Sequence, residues 1–159
     1  MLAAVFSALI AVLTAYSGML FPMPNGGYMH IGDSVVFLAG CLLPFPYSVF
    51  AAAIGGCLAD ILVGGAIAYA PFTLIIKGFM ALVFIFRKPE EKLLTRKTFL
   101  LAFCSSAINY VGYFFVEWIL FGLPAAIAVV VSPPLQTIFS YAVFVCLILI
   151  FDKRKFFRT

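Results

Sequence analysis

Charge is scarce in this chain. Asp, Glu, Lys and Arg make up only 10% of the 159 residues, apolar residues make up 65%, and mean hydropathy is +1.20. A soluble domain carries about 25% charged residues because its surface must face water. A chain this poor in charge faces another solvent, and bilayer hydrocarbon fits. Histidine is scarcer still. The single His30 and six acids are too few for a metal centre or an acid–base catalytic site, so no metal, cofactor or catalytic residue is expected. The four cysteines, Cys41, Cys57, Cys104 and Cys146, lie on separate apolar segments without CxxC spacing. They read as small buried residues, which excludes a disulfide framework and a zinc site. No GxxxxGK[ST] phosphate loop occurs, so the chain cannot hydrolyse ATP by that device. No Lys or Arg precedes the first apolar run, and no small-residue cleavage site follows it. That run therefore reads as a permanent helix, with a secretory signal peptide as the alternative.

What is present is a series of long apolar runs cut by Pro and Gly. Runs near 20 residues match a hydrocarbon core about 30 Å thick. The punctuation predicts six segments: Leu2 to Phe21, a short one that starts after Asp33 and ends near Leu43, Tyr47 to Val63, Pro71 to Phe86, Phe99 to Phe121 and Pro133 to Phe151. The stretch PAAIAVVV between the last two is either a re-entrant or an interfacial loop. The expected fold class is an all-α integral membrane protein with six transmembrane helices. The whole chain, 1–159, forms one membrane-embedded domain, a multi-pass protein of the cell membrane.

The net charge of +4 does not signal nucleic acid, because of where the charges lie. Nine of the ten basic residues fall in two clusters, Arg87 to Lys97 and Lys153 to Arg158. Cytoplasmic loops carry the excess of Lys and Arg. Both clusters, and by parity both termini, are therefore expected in the cytoplasm. The loops 22–32, 64–70 and 122–132 then face outward, and none contains Lys or Arg.

Lys77, the tenth basic residue, lies inside the fourth segment. Ionisable groups within membrane spans are costly and usually face a bundle interior. Asp60 and Glu117 are its expected partners, as a structural ion pair, a ligand contact or both. Asn109, Tyr113 and Glu117 recur at i, i+4 and i+8 on one helical face, with Tyr110 nearby. Such a stripe either bonds neighbouring helices or meets a small ligand that needs stacking and hydrogen bonds. Gln136, Ser140 and Tyr141 make a weaker set on the sixth segment, and Trp118 reads as an interface anchor. Asp33 is placed to cap the second segment. His30, beside it, both donates and accepts hydrogen bonds. The Pro and Gly around them shape a flap over an outward-facing pocket. On the first segment Ala4, Ala8, Ala11 and Ala15 form a small-residue stripe, either packed inside the bundle or docking a partner helix.

The order GGYMHIGD (residues 26–33), GGCLAD (residues 55–60) and APFTLIIKG (residues 70–78) resembles the substrate-binding (S) components of energy-coupling factor (ECF) transporters. The front half is similar to members linked to pyridoxine or hydroxymethylpyrimidine and to queuosine-precursor salvage. The resemblance implies a six-helix subunit that captures a vitamin-like nitrogen heterocycle outside the cell. It implies partners: a transmembrane coupling (T) subunit and two cytoplasmic ATPases. It also implies His30, Lys77, Asn109, Tyr113 and Glu117 as ligand contacts, Tyr28 as a lid residue, and Ala4, Ala8, Ala11 and Ala15 as the docking surface. In this family the S component is thought to topple in the membrane to deliver its cargo.

Two other classes compete. A stand-alone transporter driven by protons through Asp60, Lys77 and Glu117 is weakened by the short chain and the lack of an inverted repeat. An intramembrane enzyme using His30 and Asp33 lacks a nucleophile beside them.

Overall fold

The computed structural model describes residues 1–20, 30–63, 66–88, 90–128, 130 and 132–154, and among these all regular structure is helical. Helix α1 (Leu2–Leu20) contains no charge and no Pro. Helix α2 (Gly32–Leu42) is followed by Pro44, and Pro46 lies one residue before α3 (Tyr47–Val63). A 3₁₀ turn (Ile67–Tyr69) leads into α4 (Ala70–Leu82), whose first turn takes Pro71 because that position needs no N–H. A second 3₁₀ turn (Val83–Phe86) closes it. Helix α5 (Arg96–Phe121) is capped by Thr95, whose hydroxyl accepts the Thr98 N–H at 3.2 Å. It stops at Gly122, where φ is +87°, a conformation glycine adopts without strain. The stretch read as a re-entrant or interfacial loop begins with a short helix, α6 (Leu123–Ala128), and α7 (Ser132–Arg154) is the last described helix.

Four helical segments are long and apolar enough to cross a bilayer: Leu2–Leu20, Ile67–Phe86, Arg96–Phe121 and Pro134–Phe151. The other two expected spans are shorter. Helix α3 has 17 residues, at the lower limit for a crossing, and α2 has 11, about 16 Å of rise. The shortness of α2 follows from its position. All of its residues but Leu42 are buried, and it packs on α1, α3, α4 and α7. A helix enclosed on every side has little contact with lipid and need not match the bilayer thickness.

Helix α3 makes its most extensive contacts with α1 and α4. Its two adjacent glycines explain how it serves both. A Cβ on Gly55 would fall 2.7 Å from the Ser7 carbonyl oxygen of α1, and one on Gly56 would fall 2.7 Å from Lys77 Cγ of α4. Small residues let membrane helices approach closely enough for dispersion to hold them. At the centre, Phe37 of α2 meets Phe144 edge-on at 5.4 Å and Tyr141 at 5.8 Å, both on α7. Outside, Phe103, Ile119, Ile138 and many other large apolar side chains are exposed, a surface suited to hydrocarbon rather than water.

Candidate functional site

Five polar side chains from four parts of the chain meet inside this apolar bundle. His30 precedes α2, Asp33 lies in its first turn, Lys77 is on α4, Asn109 on α5 and Gln136 on α7. The first four are buried. The Lys77 ammonium forms an ion pair with Asp33 Oδ1 and donates to Asn109 Oδ1 at 3.0 Å. The other oxygen of Asp33 accepts from Gln136 Nε2 at 3.0 Å and from Asn109 Nδ2 at 3.5 Å. Gln136 Nε2 also lies 2.8 Å from His30 Nε2. An amide nitrogen can only donate, so His30 Nε2 accepts and the imidazole is neutral, with its proton on Nδ1. A reversed amide would aim its oxygen at the Asp33 carboxylate, which rules that orientation out.

The backbone around Asp33 is held from two sides. Ser140 of α7 donates to the His30 carbonyl at 3.2 Å, and the Ile31 N–H donates to Ser17 of α1 at 3.1 Å. Gly32 then passes against α1 so closely that a Cβ there would lie 1.7 Å from Thr14 Oγ1. The tripeptide Ile31–Gly32–Asp33 thus has a mechanical reading. The glycine lets α2 enter against α1, and that entry delivers the acid to the lysine.

The stripe on α5 is half of a ladder. Lys77 bonds Asn109 at 3.0 Å, Thr73 bonds Tyr113 at 2.8 Å, and Tyr69 donates to Glu117 Oε1 at 2.8 Å. Each step back by four residues along α4 and the turn before it is a step forward by four along α5, as two antiparallel helices require. Lys77 Nζ also sits 5.6 Å from the Tyr113 ring centroid, within cation–π range. The Thr73–Tyr113 bond joins two hydroxyls, either of which can donate, and Asp60 lies on the neighbouring helix α3. The second oxygen of Asp60 is buried and has no hydrogen-bond partner among the described residues. The ladder grades from the buried Lys77–Asn109 rung to the half-buried Tyr69–Glu117 rung.

Several expectations change. Lys77 pairs with Asp33 and with neither Asp60 nor Glu117. The reason is that α2 enters the bundle core, whereas Glu117 is held by Tyr69. Asp33 is not a helix cap. Ile31 occupies the cap position without a side-chain bond, and Asp33 turns inward to the lysine. The alanine stripe divides. Ala11 and Ala15 are buried in the bundle, while Ala4 and Ala8 are exposed. Tyr28 lies outside the described residues. Gln136 proves central, and Tyr69 and Thr73 were missed. Their signal was available, since Tyr69, Thr73 and Lys77 repeat at i, i+4 and i+8, as the α5 residues do.

The ladder yields a graded expectation. Tyr69→Phe removes the donor from a half-buried carboxylate and should lower stability by about 1–2 kcal/mol. Glu117→Gln keeps an acceptor for the phenol and should cost less. Thermal unfolding of the two purified variants ranks them, and equal losses would show that this rung contributes nothing specific.

The arrangement offers donors and acceptors at the end of a polar track in an apolar bundle, which suits recognition. Among the described residues no cluster of three His, Cys, Asp or Glu side chains is placed to hold a metal ion. No curated protein matches the chain. A family model described as "ECF-type riboflavin transporter, S component" matches residues 1–153. A chain matched from Met1 to Lys153, with several membrane-length helices around a buried polar centre, belongs to the S-component family of ECF transporters, whose members are substrate-binding subunits and not enzymes.

Proposed function

We propose that this S component captures a flat, water-soluble nitrogen heterocycle on the outer face of the cell membrane, for ATP-driven import by a coupling subunit and two ATPases. The observation that carries the reading is the α4–α5 ladder ending at the Lys77–Asp33 pair. A heteroaromatic ring presents donors and acceptors around its edge and π faces above and below. Tyr113 and Tyr69 can stack on such a ring, while Asn109, Lys77, His30 and Glu117 bond its edge. Pyridoxine, hydroxymethylpyrimidine and queuosine precursors meet this description. So does riboflavin, the substrate printed in the matching family's description.

The orientation rests on the basic clusters. Arg87 to Lys97 and the C-terminal cluster lie in the cytoplasm, which places the Tyr69–Glu117 rung toward the outside. Six crossings follow if α2 and α3 are counted, the first enclosed by its neighbours and the second just long enough. Energy comes from the partners, since this chain has no phosphate loop.

Binding of riboflavin, pyridoxine, hydroxymethylpyrimidine and a queuosine precursor to the purified chain, read by tryptophan fluorescence and thermal shift, tests the substrate class. Saturable binding of one of them, weakened at least tenfold by Asn109→Ala, supports it. Failure of all four to bind, beside tight binding of a non-aromatic solute, sinks it.

Docking is proposed for the exposed part of the alanine stripe, Ala4 and Ala8. Ala8→Trp should abolish uptake by the assembled transporter yet leave ligand affinity within twofold. Parallel loss of both would place Ala8 in bundle packing instead.

A further inference from the structure

Arg87 counts in the sequence as one of many cytoplasmic charges, yet it is only 5% exposed. Its guanidinium ties three segments together. Nη1 donates to the Cys41 carbonyl of α2 at 2.5 Å, Nη2 to the Glu91 carbonyl at 2.5 Å, and Nε to Thr98 Oγ1 of α5 at 3.3 Å. All three acceptors are neutral. Among the described residues no carboxylate forms an ion pair with Arg87. The nearby Glu91 carboxylate is turned to Lys97, at 3.1 and 3.3 Å, and that hydrogen bond holds it below the usual carboxylate range. The direct hydrogen-bond partners of this buried cation are therefore dipoles, the end of α2 among them. Each terminal nitrogen retains one N–H beyond those bonds.

Arg87 also lines a cavity of about 130 Å³, well above the ~15 Å³ that admits one water. Pro44, Ser48, Ala81, Phe84 and Lys88 complete its main walls. Two of its lining residues, Phe45 and Ile85, are more than half or half exposed, at 55% and 50%. The cavity is thus bordered by two basic residues and a buried serine, beside exposed apolar side chains.

We infer that this cavity binds the phosphate headgroup of an anionic phospholipid from the cytoplasmic leaflet, with Arg87 and Lys88 as its counter-charges and Phe45 and Ile85 against its acyl chain. A guanidinium with two remaining N–H groups matches phosphate oxygens, and basic pockets between membrane helices on the cytoplasmic side hold such headgroups. The apolar rim favours a lipid over free phosphate, which has nothing to place there. The leaflet assignment rests on the orientation proposed above.

Native mass spectrometry of the delipidated full chain, titrated with phosphatidylglycerol or phosphatidylcholine, tests the inference without a micronutrient or transport partner. Phosphatidylglycerol should bind at least tenfold more tightly. Ala81→Leu, which fills the cavity, should reduce that binding at least tenfold, and Lys88→Gln about threefold, with micronutrient affinity unchanged in both. Because Arg87 also joins three segments, its own variants are not needed for the reading. Equal binding of the two lipids, or phosphatidylglycerol binding indifferent to both substitutions, overturns the inference. Displacement of the lipid by millimolar inorganic phosphate overturns the choice of lipid. Labelling of a cysteine introduced at Lys92 from the outside would refute the orientation alone and leave the binding result standing.

Discussion

Lys77→Met should weaken micronutrient binding about a hundredfold and lower stability by about 3–5 kcal/mol. Lys77 is 1% exposed, and its ammonium bonds Asp33 and Asn109 at once. Taking it away leaves a buried carboxylate whose remaining donors are the Asn109 and Gln136 amides. The loss therefore exceeds one hydrogen bond, because an unpaired charge stays in a low-dielectric interior. Asp33→Asn should be costly for the mirror reason. The double variant Asp33→Asn/Lys77→Met removes both charges, keeps an acceptor for Gln136, and should be more stable than either single variant while binding stays lost. A thermodynamic cycle from denaturant unfolding in detergent measures this coupling. If the two single losses simply add, the pair is not a unit and the site has been misassigned.

Gly32→Ala is the second large effect, and no charge is involved. One methyl group would overlap Thr14 Oγ1 at 1.7 Å, with Thr14 Cβ only 2.9 Å away. Helix α2 must then move off α1, and Asp33 moves with it. Overpacking of this kind costs about 1–3 kcal/mol, and a shift of the acid relative to Lys77 adds to that. Binding should fall as far as in Lys77→Met. Thr14→Gly in the same chain removes the two offending atoms and leaves Thr14 Cα at 3.3 Å, so both properties should recover in part. No recovery in stability or binding would mean that α2 is positioned by something other than this contact.

The membrane class and the helix ends were readable because they are local. Hydropathy reports the solvent, and Pro44, Pro46, Pro71 and Gly122 stand at or beside the breaks that the structure shows. The α5 face was readable because a helix repeats every 3.6 residues, so Asn109, Tyr113 and Glu117 align whatever surrounds them. Partner choice was not. From Lys77, two acids on flanking helices look reachable along the membrane normal. Which one pairs depends on how far each helix is turned, and rotation leaves no mark in hydropathy. The inward entry of Asp33 depended on the Gly32–Thr14 approach, a contact between residues 18 positions apart. Arg87 shows the same limit. The sequence places it in a basic cluster, but its burial depends on carbonyls at Cys41 and Glu91, which only the folded chain brings near.

By itself, then, the order of residues determined the solvent, the helix boundaries and which face of α5 is polar, all set by interactions within a turn or two of chain. Only the tertiary structure decided that α2 is enclosed, that Asp33 is the counter-ion of Lys77, and that Arg87 borders a cavity. Those outcomes depend on helix rotation and approach, which are settled by packing of glycines and bulky side chains from distant segments.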